Sequence, residues 1–435
     1  MINIKRVVIL GANGTMGAGS AEVFAAGGCD VVLLARAKEK AREGLVGAQN
    51  MAKSERIGDL MSVGTYDDDF DEAVGKADLI FEALAEDIEL KKKFFERVDK
   101  KRRPDSIVAT VSSGLSITEM ARPCSESFRR NFLGIHLFNP PNVIVGTEVI
   151  PQPDTDPALV TAVVDALERR FGRVVTVCDD MPAFAGNRVG FKVLNEVAQL
   201  AAKHGVAFVD YLIGPYTGRA MPPLATVDLV GWDVHKAIVD NVHANTNDEA
   251  RDAFELPTFV AELIDEGHLG NKTPEHGGFY RRVKEGGKNV NLVLDPATGN
   301  YKNPADVKVK PIAFVEKMRE LHRIGCYAEA FKHFVTAEGA EADLARRVIL
   351  GYVSYALNRV GDGEVVRQPR DMDRIMGFGF NWAPPTVLAD VIGVKETIKA
   401  IERSGLKVPK VLTQAKAGER LFREPNVNIG RFFAA

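Results

Sequence analysis

The sequence predicts a doubly wound α/β domain followed by an all-helical region. Short apolar runs alternate with segments of helical spacing over about the first 180 residues, a pattern typical of a largely parallel sheet covered by helices. Beyond the segment 181–184, apolar residues recur at helical spacing from 189–204 onward. We therefore predict an α/β domain over 1–183, a first helical domain over 184–284, a linker over 285–311 and a second helical domain over 312–435.

Composition narrows the class of protein. The chain has 435 residues, which is long for one domain, and 46% of them are apolar, enough for a large core. A net charge of −3 argues against nucleic-acid or anionic-membrane binding. The four cysteines show no metal-ligand spacing, so we expect reduced thiols and no metal site: Cys29, Cys124, Cys178 and Cys326. Without a signal-peptide pattern or an apolar run of membrane-spanning length, a cytoplasmic protein is expected.

Apolar runs predict the strands of the α/β domain. They occur at 6–10, 31–34, 78–83, 106–111, 132–138, 145–150 and 173–178. Helices are predicted between them, among others over 18–26 and 86–98.

A glycine-rich turn follows the first predicted strand. The sequence GANGTMG has the spacing G-x-x-G-x-x-G, the usual dinucleotide-binding loop with one extra residue, Asn13. The strand, turn and helix occur in the order in which glycines allow a pyrophosphate to approach a helix N-terminus. The alternative is an ordinary glycine-rich turn. We predict cofactor contacts from Gly11, Asn13, Gly14, Thr15, Met16 and Gly17.

The second predicted strand ends in Ala35-Arg36. An NAD-selective site usually has an acidic residue here, which binds the ribose 2′-hydroxyl, and this chain has none. Arg36, helped by Lys38 or Lys40, could instead bind the 2′-phosphate of NADP. The alternative is that these charges form a solvated helix start.

A histidine and a glutamate lie twelve residues apart in GIHLFNPPNVIVGTEVI. Histidine is the side chain whose unperturbed pKa lies nearest neutral pH, and Glu148 could orient the ring of His136 and stabilise its imidazolium. Asn139-Pro140-Pro141 breaks any helix, so the two groups must meet through a folded-back loop. The pair is a candidate general base, although a lone histidine among apolar residues is more often structural.

The helical region contains an internal repeat. Pro222-Pro223 precedes LATVDLVG, which holds Asp228, and Pro384-Pro385 precedes LADVIG, which holds Asp390. Related segments, RVGF and RVIL, lie about forty residues upstream of each. Two such copies would pack as a pseudo-dimer within one chain. Because the same aspartate recurs in both copies, a capping or turn role is favoured over catalysis.

Five motifs in order carry a resemblance to a known family. They are DLIFEALAEDIELKKKFF, ATVSSGLSIT, GIHLFNPPNVIVGTEVI, DDMPAFAGNRVGFKVLNE and the LGNK to GFY segment. The chain resembles the L-3-hydroxyacyl-CoA dehydrogenases of fatty-acid β-oxidation, and its duplicated helical region resembles the long, multifunctional members. The resemblance implies a Rossmann-like domain, helical domains like the C-terminal domain of 6-phosphogluconate dehydrogenase, and NAD as the cofactor.

The resemblance also implies residue roles. His136 would take the hydroxyl proton of a 3-hydroxyacyl-CoA, Glu148 would hold the imidazole, Ser113 would bind the substrate oxygen and Asn187 would place substrate or histidine. Ala83, Glu86 and Lys91 would contact the cofactor, and substrate would lie in the cleft between the domains. A monomer with an internal pseudo-dimer, or a homodimer, is expected, alone or with other β-oxidation enzymes.

The sequence departs from the family pattern in places. Val111 replaces an asparagine, Ala183 replaces a glycine, and Ser113 lies two residues farther from the histidine than usual. NAD is implied by the resemblance, whereas Ala35-Arg36 favours NADP. Two other functions stay open: a dehydrogenase of a non-CoA hydroxy acid, and a non-catalytic binding or structural protein.

Overall fold

The computed structural model describes residues 2–425 and 427–433. The chain forms two compact units. The first runs to Ala185 and includes Phe378–Phe380, and the second comprises Gly186–Gly377 and the residues from Asn381 onward. The predicted end of the α/β domain at 183 lies two residues from this division.

An eight-stranded sheet organises the first unit. Its strands are β1 (Arg6–Leu10), β2 (Asp30–Ala35), β3 (Met61–Thr65), β4 (Leu79–Glu82), β5 (Ile107–Thr110), β6 (Phe132–Leu137), β7 (Gly146–Pro151) and β8 (Val174–Val177). Their order is β3-β2-β1-β4-β5-β6-β7-β8, and every neighbouring pair is parallel except β6 and β7. The predicted doubly wound fold is confirmed, with the seven predicted strands each within one residue at either end. Strand β3 was not predicted, because Ser62 and Gly64 interrupt its short apolar pattern.

Helices cover the sheet. They are α1 (Thr15–Ala26), α2 (Lys38–Ala52), α3 (Phe70–Lys76), α4 (Ile88–Lys101), α5 (Ile117–Ala121), α6 (Glu126–Arg130) and α7 (Pro157–Arg169). Phe24 of α1 packs edge-on against Phe81 of β4 and against Phe171, with ring centroids 5.2 Å apart in each case. Such aromatic packing fixes the first helix, and with it the loop before the helix, against the sheet.

The second unit is mainly helical. Its helices are α8 (Gly186–His204), α9 (Val206–Leu212), α10 (Pro223–Val230), α11 (Trp232–Asn245), α12 (Thr258–Asp265), α13 (Ala313–Arg323), α14 (Tyr327–Thr336), α15 (Ala340–Asn358), α16 (Pro369–Phe378), α17 (Pro385–Ile392), α18 (Val394–Arg403) and α19 (Lys410–Thr413). Within the described residues, no helix has the length and apolar character needed to cross a bilayer.

The predicted repeat is confirmed in the second unit. Helices α10 and α17 are both eight residues long, both begin at the second proline of the repeat, and both are followed by a glycine with positive φ and another helix. Asp228 accepts hydrogen bonds from two consecutive backbone N–H groups, those of Phe279 and Tyr280, at 2.9 and 2.7 Å. Asp390 does the same for Leu421 and Phe422, at 2.9 Å each. Both aspartates are therefore structural, as expected.

The two copies contact each other inside this unit. The backbone N–H of Ala383 donates to the carbonyl of Gly218 at 2.6 Å, beside a bridge between Arg219 and Trp382. These segments precede the paired prolines of their respective copies, so matching parts of the repeat meet antiparallel. This is the pairing expected of an isologous interface.

The segment 285–311, predicted as a linker, contains regular secondary structure. It contains β10 (Lys288–Leu294) and β11 (Tyr301–Lys302). With β9 (Tyr280–Glu285) they form an antiparallel three-stranded sheet in the order β11-β10-β9. Gly286 and Gly287, both with positive φ, form the two-residue turn between β9 and β10. The glycines that suggested a linker are the turn of a hairpin.

Candidate active site

The predicted site residues of the first unit follow the carboxyl ends of neighbouring strands. The glycine loop follows β1, Ala83 and Glu86 follow β4, Ser113 follows β5, and His136 is the second-last residue of β6. These strands are parallel and adjacent in the order β1-β4-β5-β6, so their carboxyl ends share one edge of the sheet. Ligands of open α/β sheets bind at this edge.

The glycine loop has the geometry of a phosphate cradle. A Cβ on Gly11, whose φ is +87°, would lie 2.3 Å from the carbonyl oxygen of Ala83. A Cβ on Gly17 would lie 2.3 Å from the carbonyl oxygen of Gly11. Both contacts forbid a side chain, because real Cβ atoms do not approach so closely. The first and third glycines are thus required by the tight turn and by close packing of helix and strand.

The middle glycine faces open space. The nearest atom to a Cβ on Gly14 would be the Gly11 oxygen at 3.7 Å, and Asn13, Gly14 and Thr15 are exposed at the tip of the loop. Helix α1 begins at Thr15 with no side chain capping its N-terminus. The free N–H groups of the first turn and the open approach at Gly14 fit a dinucleotide pyrophosphate.

The end of β2 lies beside this loop. The backbone N–H groups of Gly11 and Ala12 donate to the carbonyl of Leu34, and Gly11 also donates to the hydroxyl of Tyr66 at 2.8 Å. Tyr66 is bound in turn to Ala35, whose carbonyl accepts its backbone N–H at 3.1 Å. Sequence reasoning missed Tyr66, because a tyrosine after an unpredicted strand gave no signal of its role.

Lys91 lies below the site rather than on its surface. Its side chain is fully buried, and its ammonium donates to both carboxylate oxygens of Glu82 at 2.7 and 2.9 Å. Glu82, also fully buried, accepts from Thr110 at 2.5 Å and from the N–H of Leu84 at 2.6 Å. Lys91 is thus enclosed by acidic groups, and its contact with a bound cofactor stays a prediction; a second acidic residue lies near its ammonium.

That neighbour is Glu86. Its carboxylate lies 3.4 Å from the Lys91 ammonium and accepts from the Ser112 hydroxyl at 2.5 Å and from the Ser113 backbone N–H at 2.9 Å. Burial raises the pKa of Glu86, but the Lys91 charge and the hydrogen bonds from Ser112 and Ser113 outweigh it and hold the pKa below its ordinary value. Glu86 is therefore a carboxylate at neutral pH, and it fixes the backbone that carries Ser113.

His136 and Glu148 are brought together by strand register. They lie directly opposite each other on the antiparallel pair β6 and β7. His136 Nδ1 and Glu148 Oε2 are 2.6 Å apart, and both residues are buried. The predicted folded-back loop is the connection between these strands, so the twelve-residue spacing is explained by the register.

Glu148 is held by further groups. Its Oε1 accepts the backbone N–H of Ala185 at 2.9 Å and lies 3.6 Å from the Cys178 sulfur. The His136 ring packs against Phe138 and Phe184, with centroids 4.7 and 5.9 Å away. No hydrogen-bond partner for Nε2 is found in the described part of the chain. The carboxylate thus leaves Nε2 as the nitrogen available to a ligand.

The segment after β8 carries one of the family departures. Ala183 and Phe184 both have positive φ, +60° and +52°, so Ala183 adopts a conformation that favours the glycine it replaces. Asp180 accepts from the Ser116 hydroxyl, from the N–H groups of Ile117 and Thr118, and from the Thr118 hydroxyl, at 2.7–3.0 Å. Asp180 thereby joins the segment after β8 to the start of α5, a contact that sequence reasoning missed.

Asn187 belongs to the second unit, near the start of α8, and is buried. Its predicted role toward substrate or histidine stays a prediction. Among the described residues, no group of three or more histidine, cysteine, aspartate and glutamate side chains is arranged to hold a metal ion.

Fold and site together define a class of protein. A phosphate-binding loop at the carboxyl edge of a doubly wound sheet, beside a buried histidine–carboxylate pair, is the arrangement of an oxidoreductase that uses a nicotinamide dinucleotide.

Comparison with known families identifies the particular group. A profile described as the NAD binding domain of 3-hydroxyacyl-CoA dehydrogenase matches residues 6–181, and one described as its C-terminal domain matches residues 184–282. The chain belongs to the 3-hydroxyacyl-CoA dehydrogenase family. The matched NAD-binding domain supports NAD as its cofactor.

Individual relatives agree. A probable 3-hydroxyacyl-CoA dehydrogenase of Bacillus subtilis is 30% identical over 438 residues, which cover 94% of this chain and 53% of the relative. This chain therefore spans about half the length of that relative. The human mitochondrial hydroxyacyl-coenzyme A dehydrogenase is 32% identical over 297 residues, which cover 64% of this chain and 92% of the human protein.

Solved structures share the fold. FadB2 of Mycobacterium tuberculosis is 26% identical, with a TM-score of 0.59 over 64% of this chain and 99% of that one. The 3-hydroxybutyryl-CoA dehydrogenase of Escherichia coli has a TM-score of 0.68 over 95% of this chain and 98% of that one, at 22% identity. The second likeness extends the shared fold through both helical copies.

Proposed function

We propose that this protein catalyses the reversible oxidation of (S)-3-hydroxyacyl-CoA to 3-oxoacyl-CoA in fatty-acid β-oxidation. The observation that carries the proposal is the buried His136–Glu148 pair, 2.6 Å apart, at the sheet edge that also holds the glycine loop. Bound NAD supplies the acceptor for the hydride that leaves C3 of the substrate. The chain's own residues take the proton of the 3-hydroxyl group and orient the substrate.

His136 is the general base of this proposal. Glu148 accepts the Nδ1 proton, so Nε2 presents its lone pair and takes the proton of the 3-hydroxyl group. When Nε2 is protonated, the fully buried Glu148 carboxylate balances the imidazolium charge. A base positioned in this way contributes about 10²–10⁴-fold to the rate.

Ser113 acts on the substrate oxygen. Glu86 binds its backbone N–H, so the residue is held on the loop that follows β5. Thr110 of β5 lies opposite Gly134 of β6, two residues before His136, so the Ser113 loop leaves the sheet beside the histidine. A hydroxyl here stabilises the negative charge that develops on the 3-oxygen as its proton leaves.

The test is the reverse reaction, with acetoacetyl-CoA and NADH, in the wild type and in His136→Ala. We expect NADH oxidation by the wild type and a loss of several orders of magnitude in kcat in the variant, with NADH binding unchanged, because the base acts in chemistry. Oxidation at an unchanged rate in His136→Ala would remove the histidine from the mechanism. Absence of oxidation with this and with longer acyl chains would remove the proposed reaction.

Retention on a CoA-affinity matrix distinguishes the proposed function from the two other functions considered. The family relationship does not favour either of them. Retention supports an acyl-CoA substrate. A dehydrogenase of a non-CoA hydroxy acid, or a binding or structural protein of this fold, would pass through.

We propose that the working form is a monomer with an internal pseudo-dimer. Support comes from the paired segments at Gly218 and Ala383 within the helical unit. Light scattering should give a mass near 47.4 kDa. Twice that mass would favour a homodimer, and co-purification with other β-oxidation enzymes would favour a complex. A cytoplasmic location is kept as a prediction, consistent with three buried free cysteines.

A further inference from the structure

The end of β2 lacks the group that selects against a 2′-phosphate. In a dinucleotide-binding sheet the last residue of this strand faces the adenosine ribose, and an acidic side chain there binds the 2′-hydroxyl and repels a 2′-phosphate. Here the strand ends at Ala35, which is buried and has no polar side-chain atom. The chain therefore has no charge at this position to exclude NADP.

Arg36, the next residue, supplies the opposite charge. It is exposed, and it has no hydrogen-bond or ion-pair partner in the part of the chain that the structure describes. Leu34, two residues before Arg36, accepts the backbone N–H groups of Gly11 and Ala12 of the phosphate loop. The end of β2 therefore places Arg36 beside the loop that fixes the cofactor.

Among the neighbouring basic residues, Arg36 directly follows the end of β2, whereas Lys38 begins α2. Lys40 is paired with Glu43 at 2.9 Å, so its charge is already compensated. Among the acidic residues after β3, Asp68 accepts from the Thr65 hydroxyl at 3.1 Å and Asp69 accepts from the Thr65 backbone at 2.8 Å. Within the described residues, neither carboxylate forms an ion pair with Arg36.

We propose that the cofactor site of this protein also accepts NADP(H), and that Arg36 determines this by binding the 2′-phosphate. The proposal rests on the dinucleotide site of the family and extends its cofactor range beyond NAD. Guanidinium binds phosphate with charge-assisted and often bidentate hydrogen bonds. One such contact corresponds to about 10- to 100-fold in affinity.

The test uses fragments that isolate the 2′-phosphate. Adenosine 2′,5′-bisphosphate and 5′-AMP are titrated calorimetrically into the purified full chain, without acyl-CoA. We expect the bisphosphate to bind at least about tenfold more tightly to the wild type, and Arg36→Ala to bind the two equally. Arg42→Ala, which removes another exposed arginine from α2, should keep the preference. Ala35→Asp should reverse it, with melting temperatures measured as a fold control.

Equal binding of the two fragments by the wild type would overturn the proposal. A preference that survives in Arg36→Ala would overturn the role of Arg36. Binding needs no turnover, so a chain that prefers the bisphosphate but does not reduce acetoacetyl-CoA would refute the proposed reaction and leave this inference standing. NADPH and NADH titrations, followed by nicotinamide fluorescence, extend the result to the whole cofactors.

Discussion

Replacing Lys91 by methionine tests the buried ion pair below the site. The substitution keeps the length of the side chain but leaves the Glu82 carboxylate, which is 0% exposed, without its counter-charge. Removing one partner of a buried pair costs about 3–5 kcal/mol. A domain of this size loses about 2–4 °C in Tm per kcal/mol, so the unit should melt about 6–20 °C lower.

Thermal unfolding, followed by circular dichroism, measures the effect, and two further variants make it interpretable. Lys92→Met removes the next lysine, whose pair with Glu89 is partly exposed, and should cost at most about 1 kcal/mol. Lys91→Met combined with Glu82→Gln removes both buried charges and should regain much of the loss. A single variant that melts within 2 °C of the wild type (about 1 kcal/mol or less), or a double variant no more stable than the single one, would refute the reasoning.

Three other perturbations have defined outcomes. Glu148→Gln should lower kcat by about 10²–10⁴-fold without weakening NADH binding, because the carboxylate orients His136 and stabilises its cation. Steady-state rates measure kcat and a fluorescence titration measures NADH affinity; an unchanged kcat would contradict the prediction. Asp180→Ala should lower the free energy of unfolding by about 1–2 kcal/mol, because the first N–H groups of α5 lose the carboxylate that accepts them. Urea unfolding measures the change, and an unchanged midpoint would exclude a stabilising role for Asp180. Burial lowers the pKa of His235 to about 3, below the ordinary 6.5, so stability should be lost as pH falls below 6.5 toward that value. His235→Gln should reduce the difference in the free energy of unfolding between pH 7 and pH 4.5, measured by urea titration. The same difference in variant and wild type would show that another group titrates.

The sequence predicted the α/β fold well because fully buried parallel strands are continuous apolar runs. β4 and β5, each four residues long and buried throughout, are examples. β3 escaped because it lies at the sheet edge, where Ser62 and Gly64 are tolerated. The hairpin at Gly286-Gly287 escaped because glycine pairs are common to linkers and to tight turns, and the sequence alone did not separate them.

The candidate site was predicted in part. His136 and Glu148 were paired on chemistry, and the structure supplies the register that joins them. Lys91 was expected to contact the cofactor, and that contact stays a prediction. Its buried ion pair with Glu82 could not be predicted, because tertiary packing brings the two side chains together. Asp180 was missed for the same reason. The groups that donate to its carboxylate lie more than sixty positions away in the sequence, and local patterns do not predict contacts at that separation.

The contact between the helical copies has a consequence for how this surface can vary. In a pair of identical chains, a residue close to the two-fold axis meets its own equivalent, so every substitution is made twice. Here the two sides are encoded separately, and they differ. The Arg219 guanidinium stacks on the Trp382 ring at 3.9 Å, whereas the position of the first copy that matches Trp382, counted from the paired prolines, is Ala220. Two-fold symmetry would repeat the contact of Arg219 with Trp382 at the equivalent pair, which here is Asn381 and Ala220. Duplication within one chain thus lets a cation and an indole meet at one of two related positions and not at the other, and dilution does not separate them.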